Sequence, residues 1–127
     1  MRSINSSELG RMGLTINSYS FGRIVIGGSR YTSDVIVYPD RVEDGWWRKE
    51  GHQLCADDIR EAVEGGKPEV LIVGTGYMGL MRVLPEARGY LKSQGVELLI
   101  ERTKRACEVF NQLSGSRRVM AALHLTC

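Results

Sequence analysis

The chain lacks most of what would commit it to a specialised class. Three cysteines are an odd number, and 127 residues form a core without staples. A disulfide framework is therefore not expected, and a reducing, cytoplasmic compartment fits better. No apolar run approaches the roughly 20 residues that span a bilayer. Net charge is only +2, too small by itself to imply nucleic acid or membrane partners, and aromatic residues total 7%. The first residues, M-R-S-I-N-S-S-E-L-G-R-M-G, lack the apolar stretch of a secretory signal. Their serines and arginines only faintly echo a transit peptide, and Glu8 interrupts that pattern. Residues 1–13 are expected to be a flexible N-terminal segment, with a single domain over 14–127. No nucleophile-elbow serine, phosphate-loop Gly-Lys-Ser/Thr or paired-histidine metal motif occurs in the sequence.

What is present is an ordinary globular balance, 43% hydrophobic and 25% charged, with charge unevenly spread. Asp40, Glu43, Asp44, Asp57, Asp58, Glu61 and Glu64 crowd one stretch, and Arg102, Lys104, Arg105, Arg117 and Arg118 another. A solvated helix face accounts for such a run; a partner-docking patch is the alternative.

The elements follow from periodicity and punctuation. Residues 14–26 read as one strand or two short ones, closed by Gly27-Gly28. Arg30 to Tyr38 reads as a further strand that stops at Pro39, completing an early hairpin. Asp44-Gly45 signals a two-residue turn, with Trp46–Lys49 as an additional strand. Over 56–64, Ile59, Ala62 and Val63 share a helical face, Asp57 and Asp58 suit its first turn, and Gly65-Gly66 is its expected stop. From Val70 the pattern becomes regular. An apolar strand over 70–73 leads through glycines to a helix starting near Pro85 and ending at Gly95. A strand over 96–101 follows, then a helix capped by Thr103 with Ala106, Val109, Phe110 and Leu113 on one face. Ser114-Gly115 ends it, and a last strand covers 119–127. The expected fold is α/β: a single domain with a central mixed sheet and flanking helices, in which N-terminal hairpins precede a β-α-β-α-β unit.

The most conspicuous motif is V-L-I-V-G-T-G-Y-M-G, with Gly74, Gly76 and Gly79 at G-x-G-x-x-G spacing. A dinucleotide fingerprint also needs a helix opening at once and an acidic residue ending the next strand. Glu101 supplies the acid. The clear helix start, however, comes only at Pro85, so a phosphate would lose the helix dipole and its free N–H groups. The motif therefore reads as a strand-end turn. The alternative is a small-molecule, anion or nucleotide site formed by Gly74, Thr75, Gly76 and Tyr77, with Arg82 and His124 nearby.

Two H-x-x-C pairs, His52-Cys55 and His124-Cys127, have the ligand types of a zinc site. On a strand, residues three apart point to opposite faces, so His124 and Cys127 do not chelate together. The same geometry argues against a Cys127–His124 nucleophile-base pair, while Cys55 or Cys107 approaching His124 from elsewhere stays open. Neither a metal nor a cofactor is expected. Trp46-Trp47, beside Arg48 and Lys49, suggests base stacking only if a wide basic face accompanies it, and none does. One tryptophan is expected in the core and the other half-exposed.

Five stretches occur together in order: S-Y-S-F-G-R-I-V-I, Y-T-S-D-V-I-V-Y-P, W-R-K-E-G-H, V-L-I-V-G-T-G-Y-M-G-L and V-M-A-A-L-H-L-T-C. Together they resemble the adipogenesis-associated Mth-domain family, which includes mitochondrial complex I assembly factor three. The likeness covers roughly residues 15–127, and its most specific parts are the glycine loop and His124-Leu125-Thr126-Cys127. It implies a small α/β domain, no established enzymatic activity, and assembly or regulatory roles. With no convincing targeting extension, the chain looks more like a stand-alone prokaryotic or cytosolic member.

The functional expectation is a non-enzymatic binding or assembly module with a protein partner, without nucleic acid or membrane. A homodimer through sheet edges or exposed aromatic patches is compatible with this.

Overall fold

Alternation near the N-terminal end becomes an antiparallel ribbon in the computed structural model, which describes residues 14–127. The segment 1–13, expected to be flexible, lies outside the described residues. The ribbon comprises β1 (Ile16–Ser20), β2 (Arg23–Ile26) and β3 (Ser29–Tyr31), paired in that order. Gly27 and Gly28, at φ 58° and 85°, supply the two successive left-handed residues of the β2–β3 turn.

The run from Arg30 to Tyr38, expected as one strand, is broken. β4 (Val35–Val37) enters a different sheet, with β5 (Val42–Asp44) alongside it. The break falls where Ser33 and Asp34 turn their side chains onto distant backbone: Ser33 Oγ accepts from Gly45 N–H at 2.8 Å, and Asp34 Oδ1 from Leu125 N–H at 2.8 Å. Trp46–Lys49, expected as a strand, forms none. The extended piece, β5, ends at Asp44 itself, and Arg48 is drawn inward onto Asp34.

A two-residue β6 (Gln53–Leu54) precedes α1 (Asp57–Gly66), which buries Ile59, Ala62 and Val63 as its spacing demands. Gly65 and Gly66 are not its stop but its last turn. The left-handed residue is Lys67, at φ 45°, whose N–H bonds Val63 O at 2.8 Å. Gly66 must lack a side chain there, since a Cβ would overlap the Met120 sulfur.

The remaining elements are β7 (Val70–Gly74), β8 (Arg82–Val83), α2 (Pro85–Ser93), β9 (Glu97–Glu101), α3 (Thr103–Leu113) and β10 (Val119–Leu123). Proline opens α2, as expected. Thr103, expected to cap α3, is instead its first helical residue; Arg102 holds the cap position. The last strand stops at Leu123, four residues short of its expected end at 127. β8, which periodicity does not announce, pairs in parallel with β6.

The central sheet runs β5-β4-β10-β7-β9, parallel from β10 to β9 and antiparallel at β4 and β5. It is the expected mixed sheet of a single α/β domain. All five residues of β7 and of β10 are buried, because both faces are covered. On one face Phe110 and Ala106 of α3, with Ile24 and Ile26 of the ribbon, pack on Val35, Val37, Ile72, Ala121 and Leu123. On the other, Ile59 and Val63 of α1 and Ala87 and Leu91 of α2 cover Ile36, Leu71, Val73, Met120 and Ala122. Truncating a fully buried ring such as Phe110 to alanine costs about 3–5 kcal/mol.

Candidate functional site

The connectivity singles out one edge of the sheet. From β7 the chain passes through α2 to β9, then returns through α3 to β10 on the opposite side of β7. The two helices lie on opposite faces, so the ends of β7 and β10 form a switch point, where open α/β sheets leave a crevice. Gly74–Gly76 and His124 meet there.

In this chain the crevice is filled by its own backbone. Thr75 N–H donates to Glu101 O at 2.9 Å, Tyr77 N–H to Thr126 O at 2.7 Å and Leu80 N–H to Cys127 O at 3.0 Å. Gly79 N–H bonds Gly76 O at 3.2 Å, and Met81 N–H bonds Thr75 O at 3.0 Å. Gly76 N–H donates to the Thr103 hydroxyl at 2.8 Å, and that hydroxyl donates to His124 O at 2.6 Å. One threonine therefore ties the loop, α3 and the end of β10 together. From Thr75 to Met81 only the Met78 N–H has no such bond among the described residues. A phosphate cradle needs several converging free N–H groups; here they are engaged.

Of the residues expected to form a ligand site, Gly74, Thr75, Gly76, Tyr77 and His124 are brought together by main-chain bonds. Arg82 stands apart on β8, exposed, with its N–H on His52 O at 2.9 Å. The arginine that reaches the loop is Arg102, whose Nε and Nη2 donate to Tyr77 O at 3.2 and 2.8 Å.

The loop sends side chains outward instead. Tyr77, Met78 and Leu80 are 49%, 57% and 51% exposed, and Phe21 from the β1–β2 turn is 54% exposed. Phe21 meets Tyr77 edge to face at 5.8 Å between ring centroids, which joins the β1–β2 turn to the apolar rim of the loop. A hollow of about 380 Å³ lined by Tyr77, Arg102, Lys104, Arg105 and Glu108 borders it.

The ladder between β10 and β4 sets Leu123 opposite Val35. One step further along that register, His124 faces Asp34. Nδ1 of His124 lies 2.8 Å from Asp34 Oδ2, to which Arg48 Nη1 also donates at 2.9 Å. Arg48 Nη2 donates to Gly51 O at 2.8 Å. A carboxylate only accepts, so the imidazole proton is assigned to Nδ1 and the 3.1 Å approach of Arg48 Nη2 is not a bond. Burial pushes the Asp34 carboxyl up. The bonds from His124, Leu125 N–H and Arg48 outweigh it and hold the group below its ordinary value. His124 Nε2 and Arg48 Nε are buried without a partner among the described residues. His52 stands edge-on to His124, 6.1 Å between ring centroids.

Asp34 and Arg48 are absent from the residues that spacing alone singles out. Among the described residues no cluster of three histidine, cysteine or acidic side chains is arranged to hold a metal ion. Cys107 lies on the buried face of α3, its thiol pushed up to about 12 by desolvation, while Cys55 and Cys127 are half-buried. Trp46 is half-buried and packs against the core, its Nε1 donating to Asp58 O at 3.0 Å, while Trp47, expected to be half-exposed, is 74% exposed. No helix of the described residues is long and apolar enough to cross a membrane.

Comparison with solved structures finds the same architecture in archaea and bacteria. A conserved hypothetical protein of Pyrococcus horikoshii is 28% identical, with a TM-score of 0.76 over 89% of this chain and 99% of that one. A Bordetella parapertussis protein is also 28% identical, with a TM-score of 0.75 over 88% and 95%. A Mth938-like domain of Bordetella pertussis, at 22% identity and a TM-score of 0.72 over 98% and 91%, shares the fold. The family model described as a protein of unknown function (DUF498/DUF598) matches residues 16–124. The chain therefore belongs to the DUF498/DUF598 family, the Mth-type domains to which its glycine loop and H-L-T-C stretch already pointed.

Proposed function

We propose that this domain is a protein-docking module whose contact surface is the outer rim of the glycine loop. One observation carries the reading: the loop turns its N–H groups into its own chain and its large apolar side chains out to solvent. Phe21 and Tyr77 in contact, with Met78 and Leu80 exposed on the same loop and Arg102 bonded to its backbone, put an aromatic pair and an arginine of the hot-spot type at this surface. Arg102, Lys104 and Arg105 at the border suit a partner that flanks its apolar anchor with carboxylates.

The test is site-specific photo-crosslinking in the native host, with p-benzoylphenylalanine at position 78 and, as a control, at position 92 on α2. Position 78 should yield one discrete adduct with a different protein, lost when Phe21 and Leu80 are both changed to serine. An adduct of twice the chain's own mass assigns the rim to a homodimer. No adduct at 78, or the same pattern from both positions, refutes the reading.

A second reading, a small ligand at the same strand ends, is favoured by the unpartnered His124 Nε2. A protic ligand donating to that nitrogen would satisfy it. Thermal shifts with nucleotides and inorganic phosphate, compared between the wild type and His124→Gln, separate this reading from docking.

A further inference from the structure

The acidic stretch and the tandem tryptophans lie together at the β5 margin of the sheet, with β4 and β10 between β5 and the glycine-loop strand β7. β5, the segment after Asp44 and α1 enclose an open cleft of about 800 Å³. Its walls carry five carboxylates, Glu43, Asp44, Asp57, Asp58 and Glu61, against two cations, Arg41 and Lys49. Asp57 is engaged by Lys49 and Arg60. Asp44 and Glu61 form no ion pair among the described residues.

The aromatic residues of the cleft show what such surroundings favour. Arg41 places its guanidinium 3.8 Å from the centre of the Tyr38 ring, and Arg48 sits 4.7 Å from Trp46. Trp47 lines the same cleft, is 74% exposed and carries no cation among the described residues. Indole is the strongest cation–π acceptor among the side chains. Guanidinium is preferred to ammonium there, because it is planar, stacks, sheds water more easily and forks onto carboxylates.

We infer that this cleft binds an arginine side chain on a basic segment of a partner protein, stacked on Trp47 and paired with Asp44 or Glu61. It is a second docking surface and does not depend on the loop rim. The lining residues of the cleft and those of the hollow beside the loop rim do not overlap.

The test uses the peptide acetyl-Gly-Arg-Gly-Arg-Gly-amide and its lysine and citrulline counterparts, by calorimetry and tryptophan fluorescence. The arginine peptide should bind saturably and shift the Trp47 emission, the lysine peptide more weakly, and the neutral citrulline peptide not at all. Trp47→Ala and the double variant Asp44→Asn, Glu61→Gln should each weaken binding by about two- to fivefold, since each removes one of the two contacts. These side chains are exposed, so thermal unfolding should be unchanged and the loss attributable to the cleft. Equal binding of the arginine and lysine peptides, or full binding by Trp47→Ala, would overturn the assignment. Self-association by light scattering that Trp47→Ala abolishes would place a second copy in the cleft, and would overturn it too.

Discussion

Replacing Asp34 with asparagine keeps the shape of the side chain and removes its charge. The amide oxygen of Asp34→Asn still accepts from Leu125 N–H. Its NH₂ group, however, now faces the Arg48 guanidinium, a donor against donors, and Arg48 keeps a buried charge without its carboxylate; its side chain is only 5% exposed. Breaking a fully buried ion pair costs about 3–5 kcal/mol. Asp34 is 17% exposed, so the lower end applies, about 3 kcal/mol. For a chain of this size that is a fall of roughly 10 °C in Tm.

Urea unfolding at neutral pH, followed by circular dichroism, measures the loss. Adding Arg48→Met to Asp34→Asn removes the stranded charge, so the double variant should lose less than the sum of the singles. The pH dependence has a definite sign. Asp34 titrates lower in the folded chain than in the unfolded one, so its contribution is complete above about pH 4 and fades as the pH falls through the folded value. The stability gap between wild type and variant should therefore close in acid. The imidazole supplies a second readout: in the variant Nδ1 accepts from the amide, and nitrogen NMR should show the proton moved to Nε2. A loss below about 1 kcal/mol, the worth of a surface pair, with an unchanged tautomer, would refute the reasoning.

Gly76→Ala should destabilise by about 2 kcal/mol or more in the same assay, because φ is 109° and a Cβ would lie 2.5 Å from the Cys127 carbonyl carbon and oxygen. Gly65→Ala, in α1 with nothing within 4 Å of a Cβ, should stabilise by about 0.5–1 kcal/mol. Thr103→Val keeps the volume but leaves the buried Gly76 N–H and His124 carbonyl unpaired, a loss of about 1–3 kcal/mol measurable by thermal unfolding. Cys107, with its thiol at about 12, should resist an aromatic disulfide reagent in the native state and react once urea is added, while Cys55 and Cys127 react first.

The helices and the strands of the β-α-β-α-β unit are legible because each element carries its own signals. Pro85 starts one helix, Gly95 follows its end, and the spacing of Ala106, Val109 and Phe110 repeats a helical face. Where such local signals conflict with a distant contact, the contact wins. Arg30–Tyr38 is strand-like at both ends but carries Ser33-Asp34, residue types that favour turns, and it splits there, where Asp34 is held by Leu125, 91 positions away. Arg48 lies in a stretch that looks extended, and the same carboxylate draws it inward. The His124 cluster is invisible to spacing because its members come from three separate segments, joined by the β4–β10 register and the Arg48–Asp34 ion pair. The signal available is that register itself: once Leu123 faces Val35, Asp34 must face His124.

The glycine spacing illustrates how one pattern arises from different physical needs. In a dinucleotide site glycines let a pyrophosphate approach the backbone. Here each answers to a group of this chain. A Cβ on Gly74 would lie 2.8 Å from Leu123 and 2.9 Å from the Thr103 hydroxyl, one on Gly76 would strike Cys127, and one on Gly79 would lie 3.0 Å from Arg102. The return of β10 beside β7 causes this crowding, since it carries residues 124–127 across the loop and engages the Tyr77 and Leu80 N–H groups there. The same bonds that engage those N–H groups leave Tyr77, Met78 and Leu80 facing outward, so at this edge the side chains, not the backbone, are what solvent meets.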